Sequence, residues 1–177
     1  MTDRPIEFTT GSAQKMWTGE KTQTRRLITS PAAKFEIGDR LYCREPFRAP
    51  DIWEKVPPIN IDPITLIPES IYIKDKAAHP DLGRKRPGRF MPRTASKMTL
   101  IVREVRRQML RDITEQDALA EGVTPVSYQC DRPLAMSYFN LWDDLHPTIQ
   151  SNTNPEIIAI TFNAIRKNID DCPPQIN

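Results

Sequence analysis

Lys21, Thr22, Thr24, Arg25 and Arg26 follow directly on Gly19 and Glu20, so an amine, two hydroxyls and two guanidiniums are packed into one short stretch. A lysine kept from water among cations has its charged form disfavoured, which lowers its pKa toward the range where a free amine takes up a proton. A hydroxyl beside such an amine, here Thr24, is a nucleophile with a base next to it, the arrangement of Ser-Lys and Thr-amine acyl transfer. By residue type alone, a Lys-Thr pair after a glycine is also the pattern of a solvated turn, and Thr22 and Gln23 suit service to the backbone.

The elements around this stretch decide whether those side chains face a cleft. Ala13, Met16 and Trp17 predict a short amphipathic helix capped by Ser12 and ended by Gly19, so that Lys21 and Thr24 enter an extended segment. Arg40 to Glu45 reads as a strand with Leu41 and Cys43 on one face and Tyr42 and Arg44 on the other. Alternation from Lys97 to Val105 and the β-branched run Ile157 to Phe162 predict two further strands. Between them, Asp112 to Gly122 predicts a helix in which Thr114 caps, Asp117 stands in a capping-box relation and Gly122 provides the left-handed stop. Leu134, Tyr138, Leu141, Trp142 and Leu145 form a core-facing helical stripe that Pro147 ends.

Nine prolines from Pro46 to Pro92 exclude a long helix over residues 46–93. This segment reads as a long insertion with one short strand at Ile71 to Lys74, either functional or mobile. Arg84, Lys85, Arg86, Arg89 and Arg93, with Lys97 just beyond the segment, form a basic cluster that has Phe90 and Met91 inside it. Cations along a backbone with an aromatic for stacking suit a single-stranded RNA groove, and they equally suit a solvated loop. Trp53 reads as a lid over a base or as a pin holding the loop. Residues 1–167 are expected to form one domain of 177 residues in all, with a frayed tail at 168–177.

A net charge of +2 and 38% hydrophobic residues do not describe a protein that binds polyanions over its whole surface. Cys43, Cys130 and Cys172 are odd in number and widely spaced, with only His79 and His146 beside them, so neither a zinc site nor a disulfide framework is expected. No metal and no cofactor is called for. A reduced cytoplasm is the expected compartment, since no apolar run approaches a membrane span and the first residues lack signal-peptide order.

Four blocks in order resemble the ASCH domain family in its phage and prophage branch: helix and Gly-x-Lys-Thr-x-Thr-x-Arg at Gly19 to Arg26, Gly38 to Glu45, Phe90 to Arg93, and Asp112 to Val123 followed by Phe139 to Asp143. The resemblance implies an α+β fold, a PUA-like β-barrel with peripheral helices. Lys21 and Thr24 match the lysine and threonine that small ASCH amidohydrolases use on N4-acetylcytidine, and the glutamate that completes their set corresponds to Glu121. At a helix end Glu121 would exchange protons with water or a leaving amine, or pair with Lys21 and hold it charged. RNA or a modified nucleoside is the implied partner, with Arg25, Arg26, Arg44, Arg86, Arg89, Arg93 and Lys97 as nucleic-acid contacts and Glu45 lining the cleft. An internal Arg44–Glu45 salt bridge is the other expectation for that pair. Single-stranded RNA cleavage and non-catalytic RNA binding are the alternatives the family leaves open. The chain departs from many phage-type relatives at Thr94, where they carry tryptophan.

Overall fold

The structure is a computed structural model and describes residues 2–125 and 130–172. In chain order the elements are β1 (Asp3–Glu7), α1 (Thr10–Thr18), β2 (Gln23–Leu27), β3 (Arg40–Arg44), β4 (Phe47–Arg48), β5 (Ile67–Pro68), α2 (Glu69–Tyr72), β6 (Thr99–Met109), α3 (Glu115–Ala120), α4 (Pro133–Leu145) and β7 (Glu156–Ile165), with short 3-10 turns between. The fold is mixed α+β. Five strands hydrogen-bond in the order β1-β3-β6-β7-β2. That order is open, with β1 and β2 at its ends, and so corrects the expectation of a closed barrel among the described residues.

Where the sequence reads as one decorated domain, the chain divides into two compact units. One comprises Met1–Trp17, Gly38–Ile101 and Ala164–Asn177, the other Thr18–Ile37 and Val102–Asn163.

In the first unit β1 runs parallel to β3, with Arg4 opposite Leu41 and Ile6 opposite Cys43, and β3 pairs antiparallel with the start of β6. Leu41, Tyr42 and Cys43 are all buried, so both faces of β3 are covered rather than one. Helix α1 starts earlier than Ser12: Thr9 Oγ1 accepts from the Ser12 amide and so takes the capping role.

The insertion is ordered. Phe47, Ala49, Ile61, Leu66, Met91 and Ala95 make a core of their own, with Trp53 and Val56 packed against it, so Trp53 is a pin and not a lid. Strands β4 and β5 pair antiparallel, and Ile71 lies in α2 where a strand was expected. The chain after Lys167 is also packed: Ile169 and Cys172 are buried, and the Asn168 side-chain amide donates to the carbonyls of Arg93, Thr94 and Ser96. Apolar side chains there find a core despite the polar composition, which corrects the frayed tail through Cys172; residues 173–177 lie outside the described ones.

The second unit carries Lys21, Thr24 and Glu121. Strand β2 pairs antiparallel with β7, Gln23 opposite Thr161 and Thr24 opposite Ile160. Helix α3 has the expected capping box, in which Thr114 Oγ1 accepts from the Asp117 amide and Asp117 Oδ2 accepts from the Thr114 amide. Gly122, at φ +81°, turns the chain out of the helix in a conformation that L side chains rarely adopt. The first-turn amides of Leu134 and Ala135 in α4 donate to the two carboxylate oxygens of Glu115, which joins α4 to α3. Tyr138, Phe139 and Trp142 then pack with Leu110, Ile113, Ile157 and Ala159 into one core. Leu145, last of the stripe, is half exposed.

Candidate active site

Three local features of the second unit bring Lys21 and Glu121 together. Gly19, at φ +86°, ends α1, so the next residues leave the helix in an extended path. The Thr22 amide then donates to the carbonyl of Ala120, and the Thr22 carbonyl accepts from the Phe162 amide, which fixes the segment between the end of α3 and β7. The capping box sets where α3 starts and Gly122 where it stops, and Glu121 is the C-capping residue that follows its last turn.

Lys21 Nζ lies 2.5 Å from Glu121 Oε2 and also donates to the Glu121 carbonyl at 3.1 Å. Each residue is only 4% exposed. Burial pushes the Lys21 amine below its ordinary 10.5; the charge and hydrogen bond of Glu121 oppose that fall, while Arg26 and Arg25 add to it. The contact is therefore between a carboxylate and an amine whose proton is held less tightly than in water.

Arg25 carries the network onward. Its Nη1 donates to Glu121 Oε1 at 3.1 Å and to Gln23 Oε1 at 2.6 Å, and its Nη2 stands 3.1 Å from Asp117 Oδ2. The guanidinium also lies over the ring of Tyr138, 5.6 Å from its centroid. Burial raises the Tyr138 phenol well above 10. Burial likewise resists ionisation of Asp117, yet the hydrogen bond from Arg106 and the charge of Arg25 hold its carboxyl below the usual 3.8. Gln23 Nε2 donates to Thr161 Oγ1, which donates to Glu104 Oε2 at the exposed edge. Two buried cations thus face two buried acids, with Glu104 and Arg106 outermost.

Arg25 was expected to touch nucleic acid and instead lies buried inside this network, because strand alternation puts it on the face of Gln23 and both meet the acids of α3. The same pleat turns Thr24 to the opposite face of β2, and no hydrogen bond joins Thr24 to Lys21 among the described residues. Arg26 acts electrostatically on both Lys21 and Tyr138. In the sequence Gln23 reads as serving the backbone, Asp117 as part of a capping box and Tyr138 as core, and neither they nor Arg106 are expected beside Lys21 and Glu121. The signal for Gln23 was its two-residue spacing from Arg25, and for Asp117 its place in the capping box, which leaves one carboxylate oxygen free for a cation.

The remaining expected contacts lie in the first unit. Arg86 donates to the carbonyls of Trp53, Glu54 and Val56, and Arg93 bridges Asp3 and Asp170, so both guanidiniums are engaged in holding the fold. Arg44 lies over the Tyr42 ring and donates to its hydroxyl. Glu45 is buried and pairs with Ser70, not Arg44: Oε1 accepts from Ser70 Oγ at 2.9 Å and Oε2 from the Ser70 amide at 3.1 Å. Burial pushes Glu45 up to about 7 against those bonds, with the charge of Glu69 adding to the rise. Arg89 is exposed and stacks on Phe90, and Lys97 lines an open pocket with Trp17, Arg166 and Lys167.

Among the described residues no cluster of three or more His, Cys, Asp or Glu side chains could hold a metal ion, and no helix is long and apolar enough to cross a membrane. No protein-family model and no curated protein matches the chain. A solved structure titled "Crystal structure of hypothetical protein PH0355" is similar at a TM-score of 0.49 and 11% identity, covering 93% of this chain and 100% of that one. A likeness at that level carries no argument about family or activity.

Proposed function

We propose that this is an ASCH-type, PUA-like protein whose Lys21–Glu121 centre hydrolyses an acylated exocyclic amine of the N4-acetylcytidine kind. The observation that carries the reading is the 2.5 Å contact between Lys21 Nζ and Glu121 Oε2, made between residues a hundred positions apart in a site nearly closed to water. The four sequence blocks supply the substrate class.

Amide hydrolysis needs a proton taken from the attacking oxygen and one delivered to the departing nitrogen. Lys21, as the free amine, takes the first as water adds to the acyl carbon. The carbon–nitrogen bond then breaks while the proton passes from Nζ, directly or through Glu121, to the leaving nitrogen. A carboxylic acid and a free amine result, and both side chains return to their starting state. Water is the nucleophile in this reading, because Thr24 faces away from the side of β2 that meets Glu121. Arg25 holds the second oxygen of Glu121 and so fixes the carboxylate toward Nζ. At 4% exposure each, Lys21 and Glu121 meet substrate only as covering side chains move aside.

The test is chromatographic detection of cytidine released from N4-acetylcytidine by the wild type, Lys21→Arg, Lys21→Ala and Glu121→Gln. Lys21→Arg keeps a cation against Glu121 but cannot act as a base. Release by the wild type alone, with Lys21→Arg melting as a folded protein, is the expected result. Undiminished release by Lys21→Arg, or none by the wild type, contradicts the proposal.

A further inference from the structure

We propose that the Pro-rich insertion carries a ligand site of its own, which takes a base and its phosphate from a single-stranded nucleic acid. In the first unit a pocket of about 490 Å³ opens between Pro57, Pro58, Pro87 and the ring of Phe90, with Arg84 and Lys85 in its wall. Ligand pockets run from about 300 to 1,000 Å³, so this one has room for a nucleotide.

The pocket stands on a fixed frame. Arg86, beside it in sequence, ties the carbonyls of Trp53, Glu54 and Val56 together, and its own amide and carbonyl pair with those of Phe47. Trp53 and Val56 pack on the Phe47, Leu66 and Met91 core. Met91 is buried while Phe90, its neighbour, is 53% exposed, so the short turn at Gly88–Phe90 sends one apolar side chain into the core and presents the other outward. A phenyl ring held outward on an ordered frame, next to three proline rings, is a surface for a flat partner.

Charge decides what that partner carries. Arg84, Lys85 and Arg89 are all exposed, and the Arg89 guanidinium lies 4.7 Å from the centroid of the Phe90 ring. Against these three cations the pocket wall offers one acid, Glu54, in an exposed ion pair with Arg84 at 3.1 Å. An exposed pair of this kind exchanges readily for a phosphate. The site therefore favours a flat ring with an anion close by. A nucleotide carries both in one residue, whereas an acidic peptide carries ring and charge on separate side chains. The strand must be single, since a base inside a duplex has no free face to offer Phe90.

The experiment is fluorescence anisotropy of labelled oligouridine and oligothymidine of about ten nucleotides, a duplex of the same length and an acidic peptide containing phenylalanine, titrated with the full chain. The expected result is binding of the single strands that weakens between about 50 and 200 mM salt. Phe90→Ala weakens it roughly tenfold. Arg84→Ala with Lys85→Ala lowers the slope of log affinity against log salt by about 1.4. All these side chains are exposed, and unchanged melting temperatures verify the fold of each variant. Tighter binding of oligouridine assigns the site to RNA, and tighter binding of oligothymidine assigns it to DNA. Failure of the wild type to bind, equal affinity in Phe90→Ala, or binding of the duplex or the acidic peptide as tight as that of the single strands overturns the proposal.

Discussion

Lys21 and Glu45 are both buried ionisable side chains, one in each unit, and burial pushes both toward their neutral forms. Their partners differ. Lys21 meets a full opposite charge in Glu121, within a set that also holds Arg25 and Asp117. Among the described residues Glu45 hydrogen-bonds only to the hydroxyl and amide of Ser70, with the charge of Lys74 a minor influence, while the nearby acid Glu69 is bound to Arg48. Neutral hydrogen bonds do not replace a countercharge, so Glu45 rises to about 7. In the second unit each buried group faces one of opposite sign; in the first, Glu45 faces none among the described residues at hydrogen-bonding distance and loses its charge as pH falls through neutral.

Removing a cation from the balanced set of the second unit costs the most. Arg25→Met takes from Glu121 and Asp117 the cation they share and leaves each one partner, Lys21 and Arg106; breaking a buried pair costs about 3–5 kcal/mol, and with those partners kept the expected loss of unfolding free energy in urea is about 3 kcal/mol. A loss below ~1 kcal/mol would mean that the acids are solvated after all.

For Glu45 the expected effect depends on pH. Its folded pKa is raised, so the stabilisation it gives is complete below about 4.5 and disappears as pH rises through about 7. The size is about 3 kcal/mol. Urea unfolding from acid to neutral pH should show that decline in the wild type and its absence in Glu45→Gln; parallel curves would show that Glu45 does not titrate there. Lys21 has the opposite sign. The unfolded chain keeps the lysine proton up to about 10.5 and the folded chain releases it earlier, so this group adds stability as pH climbs toward that value.

Smaller effects sharpen the contrast. Thr114→Ala removes the cap that sets where α3 begins, and with it about 1 kcal/mol, read as a lower urea midpoint. Arg84→Ala breaks an ion pair whose members are 72% and 50% exposed and should change stability by less than about 0.5 kcal/mol. A larger change would make that pair part of the frame of the insertion.

Legibility in the sequence followed the range of the interaction. Thr114, Asp117 and Gly122 are local signals, and the helix they bound is there. The stripe on α4 was readable for the same reason, since its period is intrinsic to a helix. The insertion was not readable: Phe47, Leu66 and Met91 meet from positions spread over more than forty residues, and neither prolines nor periodicity record that they meet. Glu121 entered through the family resemblance, whereas its contact with Lys21 joins residues no local pattern connects. In the sequence Arg25, Arg86 and Arg93 look like surface cations, because arginine is usually exposed. Acids and carbonyls brought in by the fold engage them instead. The closed barrel fails for a related reason, because strand content is local while closure depends on which strands meet at the edges.

The most direct test of the centre is an NMR titration of the Lys21 side chain in the wild type and in Glu121→Gln, assigned with Lys21→Arg. Burial in this network predicts a Lys21 pKa below 10.5 in the wild type and lower still in Glu121→Gln, where the opposing charge is gone. A wild-type value at or above 10.5 would contradict the account, since Lys21 would then be a permanent cation and could not take a proton from water.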